Sequence, residues 1–224
     1  MDLAKPHLDV GLFTNRLPQM LRFYQLEVGL PFEELLPLGG GTQQHRHAMN
    51  GSVLKVNHSK EPVPEGTPTG IAELLIARRG NFYFLRDPDG NRVRLVPEGY
   101  DDVERLAVRF RVRSLEAAEH YYGEVLGFER LAPGRFRCGT TLLLLEEDPA
   151  QPPMGEMRGT GFRYLTVQVR DCDAEHARIL ERGGTEGAPP RTLGETARIS
   201  FVRDPDGNWL EISQRASLTG PLPR

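Results

Sequence analysis

The chain has 224 residues, with 28 basic and 31 acidic side chains and a formal charge of −3. That balance, with no long basic run, argues against nucleic acid as the main partner. No apolar stretch approaches the roughly 20 residues needed to cross a bilayer. The opening Met1-Asp2-Leu3-Ala4-Lys5-Pro6 lacks the apolar segment of a secretory signal, so a cytoplasmic protein that does not use a membrane is expected.

In chain order, Leu8–Phe13 reads as a strand, and about 17–28 reads as a helix with Pro18 in its first turn. Gln44–Met49 and Ser52–Val56 form strands around Asn50-Gly51, a tight-hairpin signal. Two registers are open there. A two-residue turn pairs Arg46 with Lys55 and leaves His45 and His47 on the opposite face; a three-residue loop pairs His47 with Lys55 and brings both histidines to the same face. The chain then runs from Ile76-Ala77 directly into Phe82-Tyr83-Phe84 with no helix between.

A strand at 106–112 follows, then a helix from Leu115 to Leu126, capped by Ser114 and stopped at Gly127. Strands near 135–138 and 140–146, a loop over 149–160 and a strand over 162–169 come next. A helix at 173–182 then opens on Asp171 and closes on Gly183-Gly184. Strands near 197–202 and 208–213 finish the pattern. Cys138 and Cys172 lack metal or redox spacing and read as buried free thiols.

One phrase is written twice: Phe84-Leu85-Arg86-Asp87-Pro88-Asp89-Gly90-Asn91 and Phe201-Val202-Arg203-Asp204-Pro205-Asp206-Gly207-Asn208. Each copy is a strand running into a turn with Pro second and Gly fourth. Upstream, Phe23-Tyr24-Gln25-Leu26-Glu27-Val28-Gly29 parallels Tyr121-Tyr122-Gly123-Glu124-Val125-Leu126-Gly127. An internal repeat of this kind divides the chain into halves, 1–100 and 101–216, with a tail at 217–224. Each half comprises two βαβββ modules, the second module of the first half being trimmed. The expected class is α+β, with cupped mixed sheets.

The helix ends and the DPDGN hairpins resemble those of the vicinal oxygen chelate superfamily, which includes glyoxalase I, extradiol dioxygenases and bleomycin-resistance proteins. The resemblance implies paired βαβββ modules around a divalent metal that holds two substrate oxygens. Carried across residue by residue, the family's metal-ligand positions fall on Asp9, Lys55, Glu73 and Arg94 in the first half. In the second they fall on Ala107, a residue within Leu144–Glu146, Tyr164 and Glu211. Only Glu211 matches. A dication about 4 Å from one such cation is opposed by roughly 8 kcal/mol at an effective dielectric of 20. Two ion pairs in place of the metal are therefore expected, and no cofactor. The alternative is a relocated iron, zinc or manganese ion at His45-x-His47 with Asp9 or Glu73.

Arg109 and Arg111 share the face of Ala107, and Arg111 matches a position where glyoxalase I uses an arginine toward its substrate's carboxylates. They read either as an anion-recognition pair, with Tyr164 and Glu211 across the cup, or as part of an Arg–Glu ion pair closing a vestigial pocket. His7 reads as an exposed terminal residue, or as a displaced metal ligand if the first strand begins early enough to put it on the face of Asp9, and His58, His120 and His176 read as surface residues. The expected function is binding of a small organic molecule, as in bleomycin-resistance proteins, by a monomer or homodimer. The ligand contacts would come from Asp9, His45, His47, Lys55, Glu73, Arg94, Arg109, Arg111, Tyr164 and Glu211. The alternative is a glyoxalase-, lyase- or dioxygenase-type enzyme that uses the relocated metal or metal-free acid/base catalysis, with Lys55, Glu73 and Glu211 as candidate catalytic groups.

Overall fold

The computed structural model describes residues 1–223, so Arg224, the last residue of the expected tail, lies outside the described residues. Its strands form two mixed sheets, each centred on an antiparallel pair of strands from different halves of the chain. In the first sheet, β1 (Leu3–Phe13) pairs with β12 (Gly161–Val169). On one flank lie β4 (Ser52–Ser59), β3 (Thr42–Met49) and β2 (Phe32–Gly39). On the other lie β15 (Trp209–Arg215), β14 (Ala197–Arg203) and β13 (Thr185–Leu193). In the second sheet, β5 (Ile71–Arg78) pairs with β8 (Leu106–Val112). Its flanks are β7 (Arg92–Pro97) with β6 (Tyr83–Arg86), and β11 (Thr141–Glu147), β10 (Arg135–Cys138) and β9 (Glu129–Ala132).

The first and fourth modules thus build one cup, and the second and third build the other. Arg109 and Arg111 lie on β8 while Tyr164 and Glu211 lie on β12 and β15, so the expectation that they face each other across one cup is corrected. Strand alternation sets the faces but does not choose the partner sheet.

The repeated sequences have a structural cause. Helix α1 (Leu17–Arg22) continues into a π-helical turn over Phe23–Glu27, and α2 (Leu115–His120) does the same over Tyr121–Val125. From these turns the hydroxyl of Tyr24 donates to Asp87 Oδ2 at 2.8 Å, and that of Tyr122 donates to Asp204 Oδ2 at 2.9 Å. Each aspartate also closes its own turn: Asp204 Oδ1 accepts from the backbone N–H groups of Asp206 and Asn208 at 2.9 and 2.8 Å. The aromatic helix end and the DPDGN phrase therefore form one buried joint, made twice. The β12–β14 segment contains α3 (Cys172–Glu181), capped by Asp171 accepting from the Ala174 N–H, and the extra strand β13. The β5–β6 connection has neither. A short helix, α4 (Ala216–Thr219), spans the expected boundary between the second half and the tail.

Core faces follow strand alternation. Leu8, Val10 and Leu12 of β1 join Leu74, Val108, Leu165 and Ile212 in one apolar cluster that spans both sheets and the helices. The opposite faces carry the cups. Both cysteines are buried free thiols, as expected. His176 departs from its surface reading: it is buried, with Nε2 3.0 Å from Glu186 Oε2. His7 is half-buried against Thr140, because β1 begins earlier than the sequence suggests. Among the described residues, no helix is long and apolar enough to cross a membrane.

Candidate functional site

The floor of the first cup is polar and closely bonded. Lys55 lies beside Gly11 in the parallel β1–β4 pair, and Glu211 beside Thr166 in the parallel β12–β15 pair. Lys55 Nζ donates to Glu211 Oε2 at 2.9 Å and to Thr166 Oγ1 at 2.7 Å, and Thr166 Oγ1 donates to the same Glu211 oxygen at 3.0 Å. Desolvation holds the Lys55 pKa below its ordinary value, against the opposing pull of Glu211 and Asp9.

Asp9, fully buried, accepts from Lys5 Nζ and the Val53 N–H, both at 2.8 Å, and from Gln168 Nε2 at 3.1 Å. Burial alone would raise its pKa; the charges of Lys5 and Lys55 outweigh that and hold it low. The Tyr164 hydroxyl accepts from Asn57 Nδ2 at 3.1 Å and Gln44 Nε2 at 3.4 Å, and burial, then Glu211, raise its pKa. The Tyr164 ring also packs over Gly11, where an added Cβ would fall 2.1 Å from it.

Above this floor is a cavity of about 200 Å³. Phe13, Phe201, Ile199 and Leu36 supply apolar wall, while Met157 and Arg158 from the 149–160 loop line its mouth with Arg191 and Arg215. Gln168 lines it too, and its Oε1 is buried with no hydrogen-bond partner among the described residues.

The second cup is built differently. Glu73 is shared by Arg94 at 3.0 Å and Arg109 at 3.4 Å, and Arg109 also pairs with Glu146. Beside them Leu75, Ala107, Leu142, Leu144, Val96 and Val103 fill the face with apolar side chains. The parallel registers also settle the position left open in the second half. Gly11 pairs with Lys55 and its repeat counterpart Arg109 pairs with Leu144, so Leu144 is the counterpart of Lys55. Arg111 lines a separate cavity of about 330 Å³ with Arg86, Arg92 and Arg163.

The two-residue hairpin register is the one adopted: Met49 pairs with Ser52 and Arg46 with Lys55, across Asn50 and Gly51 at φ 54° and 94°. His45 and His47 therefore turn away from Lys55. His47 Nε2 lies 3.0 Å from Gln25 Nε2, and its ring meets Phe32 at 5.7 Å. Burial, reinforced by His45, pushes the His47 imidazole down to about 4. Asp9 and Glu73 stand on different sheets. The set His45, His47, Asp9 and Glu73 is thus not brought together, because the turn length places the histidines on the helix side.

Among the described residues no group of three or more His, Cys, Asp or Glu side chains is placed to hold a metal. The family positions in the first cup offer an ammonium already bonded to Glu211, a carboxylate already bonded three times and a phenol. Those in the second offer one carboxylate shared by two guanidinium groups. Neither donor set fits a divalent cation.

Sequence reasoning reached Lys55, Tyr164 and Glu211 but missed Asn57, Thr166, Gln168 and Lys5. Asn57, Thr166 and Gln168 were readable, being two or four residues along the same strand face as a named residue. Lys5 lies four residues before Asp9 on β1, and the strand's irregularity between Leu3 and Leu8 brings the two within 2.8 Å, closer than regular strand spacing suggests.

Residues 105–212 match the model of the Glyoxalase/Bleomycin resistance protein/Dioxygenase superfamily. Among solved structures, glyoxalase I from Zea mays superposes with a TM-score of 0.73 at 17% identity, covering 93% of this chain and 92% of that one. The whole chain has the vicinal oxygen chelate fold, and within it residues 105–212 carry the match to this superfamily's model. Catechol-2,3-dioxygenase of Bacillus subtilis (strain 168) is 28% identical over 122 residues, 50% of this chain and 42% of that protein. The chain thus spans less than half the length of that relative. A probable lactoylglutathione lyase of Vibrio parahaemolyticus serotype O3:K6 is 28% identical over 131 residues, 52% of this chain and 94% of that protein.

Proposed function

We propose that the first cup binds a small organic molecule and that an ion pair has taken over the place of the superfamily's metal. The observation that carries this reading is the Lys55–Glu211 pair, which lies on two family ligand positions at the floor of the apolar-walled cavity. A largely apolar wall with a few converging polar groups is what small-molecule recognition needs. Gln168 Oε1 is an acceptor without a donor, and a ligand N–H or O–H bonded to it would relieve the cost of its burial. Lys55 and Glu211 neutralise each other, and Arg46 and Arg215, which line the same cavity, share the one carboxylate of Glu34; with Arg158 and Arg191 the lining carries an excess of positive charge that favours an anionic group on the ligand.

The second cup is read as structural: apolar side chains fill most of its face and two arginines take up the Glu73 carboxylate, beside a cavity of about 230 Å³ whose lining is mostly charged, from Glu73, Arg86, Arg92 and Arg94. Glu73 and Arg94 then act as packing and charge balance. A relocated-metal enzyme at His45 and His47 has the hairpin register against it.

Titration of the labelled protein with a panel of aromatic and aliphatic acids, amides and aldehydes, followed by backbone amide shifts, tests the reading. Saturable shifts centred on Lys55, Asn57, Tyr164, Gln168 and Ser213 are expected. Shifts centred on Glu73, Arg94 and Arg109 would overturn it.

A further inference from the structure

Of the 28 basic side chains, only Lys5, Lys55 and Lys60 are lysines. One of these three sits at the floor of the first cup, its side chain 3% exposed and its Nζ 5.4 Å from the centre of the Tyr164 ring. A purely structural ion pair gains from arginine, whose five fixed donors match a carboxylate and whose charge is permanent. This chain uses arginine for the pairs to Glu73, Glu129, Asp173 and Asp206, and lysine outside the Lys55 pair only for Asp9, which the half-buried Lys5 reaches from outside the cavity lining. What lysine supplies, and arginine does not, is an amine lone pair once a proton has left.

The surroundings make that lone pair accessible. Glu211 Oε2, 2.9 Å from Nζ, can take the proton. Thr166 donates to that same carboxylate oxygen and fixes its position. Desolvation works against the ammonium form. The Tyr164 hydroxyl already accepts two hydrogen bonds, which leaves its own proton for a ligand oxygen. All four side chains except Thr166 line the cavity itself.

We propose that Lys55 is an imine-forming nucleophile, condensing reversibly with the carbonyl group of an aldehyde or ketone held in the first cup. The inference rests on the reading of that cup as a small-molecule site and adds its ligand class. The Lys55 ammonium passes one proton to Glu211. The freed amine attacks the carbonyl carbon, a C–N bond forms, the C=O π bond opens, and a proton moves from nitrogen to oxygen to give a carbinolamine. Glu211 returns its proton to the carbinolamine hydroxyl, which leaves as water while the C=N bond forms. The net change is ammonium plus carbonyl to iminium plus water, with charge conserved and no oxidant or reductant. The cationic mouth selects, among such compounds, those that also carry an acid group.

The test uses the full chain with phenylpyruvate, an aromatic 2-oxo acid, followed by brief borohydride reduction, intact-mass measurement and peptide mapping. Expected is one adduct, heavier than the protein by the probe less one oxygen atom, mapped to Lys55 and absent from Lys5, Lys60 and the amino terminus. Lys55→Arg, which keeps the charge, and Lys55→Met should both lose it, and Glu211→Gln should slow its formation by roughly a hundredfold or more, the size of a general acid–base contribution. Amide shifts measured without reductant separate the two claims. Saturable binding in the first cup with no trapped adduct, or trapping spread evenly over the three lysines, overturns the imine and leaves the binding reading standing. Neither binding nor trapping across a panel of 2-oxo acids and aldehydes overturns both.

Discussion

Lys55 and Glu211 stand 156 residues apart in the sequence and 2.9 Å apart in the fold. They close the first cup from opposite sides of the β1–β12 seam, and each is buried enough to depend on the other. Removing one partner strands the other's charge. Lys55→Met and Glu211→Met should each cost about 3–5 kcal/mol, while the two together should cost less than either alone. Urea unfolding of the three variants measures this; additive losses would mean that the two residues are not coupled.

A second test uses the histidine that faces away from the cup. His47 has its folded pKa at about 4, below the ordinary 6.5, so the unfolded chain takes up the proton first. Its contribution to stability is complete above 6.5 and is lost as the pH falls from 6.5 to about 4. Wild-type urea midpoints should therefore fall more steeply over that window than those of His47→Gln.

Asp204 has the opposite sign. Burial raises its carboxyl to about 6, partly offset by the hydrogen bonds from Asn208 and Tyr122. Here the folded chain takes up the proton first, so the contribution is full below about 3.8 and is lost as the pH rises through about 6. Carbon-detected titration should find Asp204 near 6, and Tyr122→Phe, which removes one of those bonds, should move it higher.

Phe84 and Phe201 hold the same place in the repeated phrase, yet Phe84 is 71% exposed and Phe201 is 7% exposed. Phe201 packs against Tyr164 and Trp209 in the wall of the first cup, with β13 alongside its strand. Phe84 sits on the edge strand β6, its ring against Arg94. Phe201→Ala should cost roughly 3–5 kcal/mol, and Phe84→Ala less than about 1 kcal/mol. Thermal unfolding of the two variants gives the comparison directly.

The same pair shows what the sequence made legible. The repeat and the helix ends follow from local patterns that both halves show, and the missing helix between Ile76 and Phe82 marks the trimmed module in the first. Which sheet receives Tyr164 or Arg109 does not follow from such patterns, because the period of a strand fixes its faces and leaves its neighbour to packing across the whole chain. Lys55 could be recognised as a cation on a ligand position, but its partner could not: Glu73 lies nearer in sequence, while Glu211 is the residue that the β1–β12 seam brings beside it. Similarly, His45 and His47 waited on one turn. The two-residue loop at Asn50-Gly51, with both φ angles positive, decides which way they face.

The measurement that bears most directly on the ion pair's place at the floor of the cup is metal titration of the chelator-treated protein with iron(II), zinc and manganese, read by calorimetry and by amide shifts at Lys55, Thr166 and Glu211. The ion-paired floor predicts no stoichiometric binding and unchanged shifts in wild type. One equivalent bound tightly, with Asp9 and Glu211 perturbed and Lys55 displaced, would contradict it.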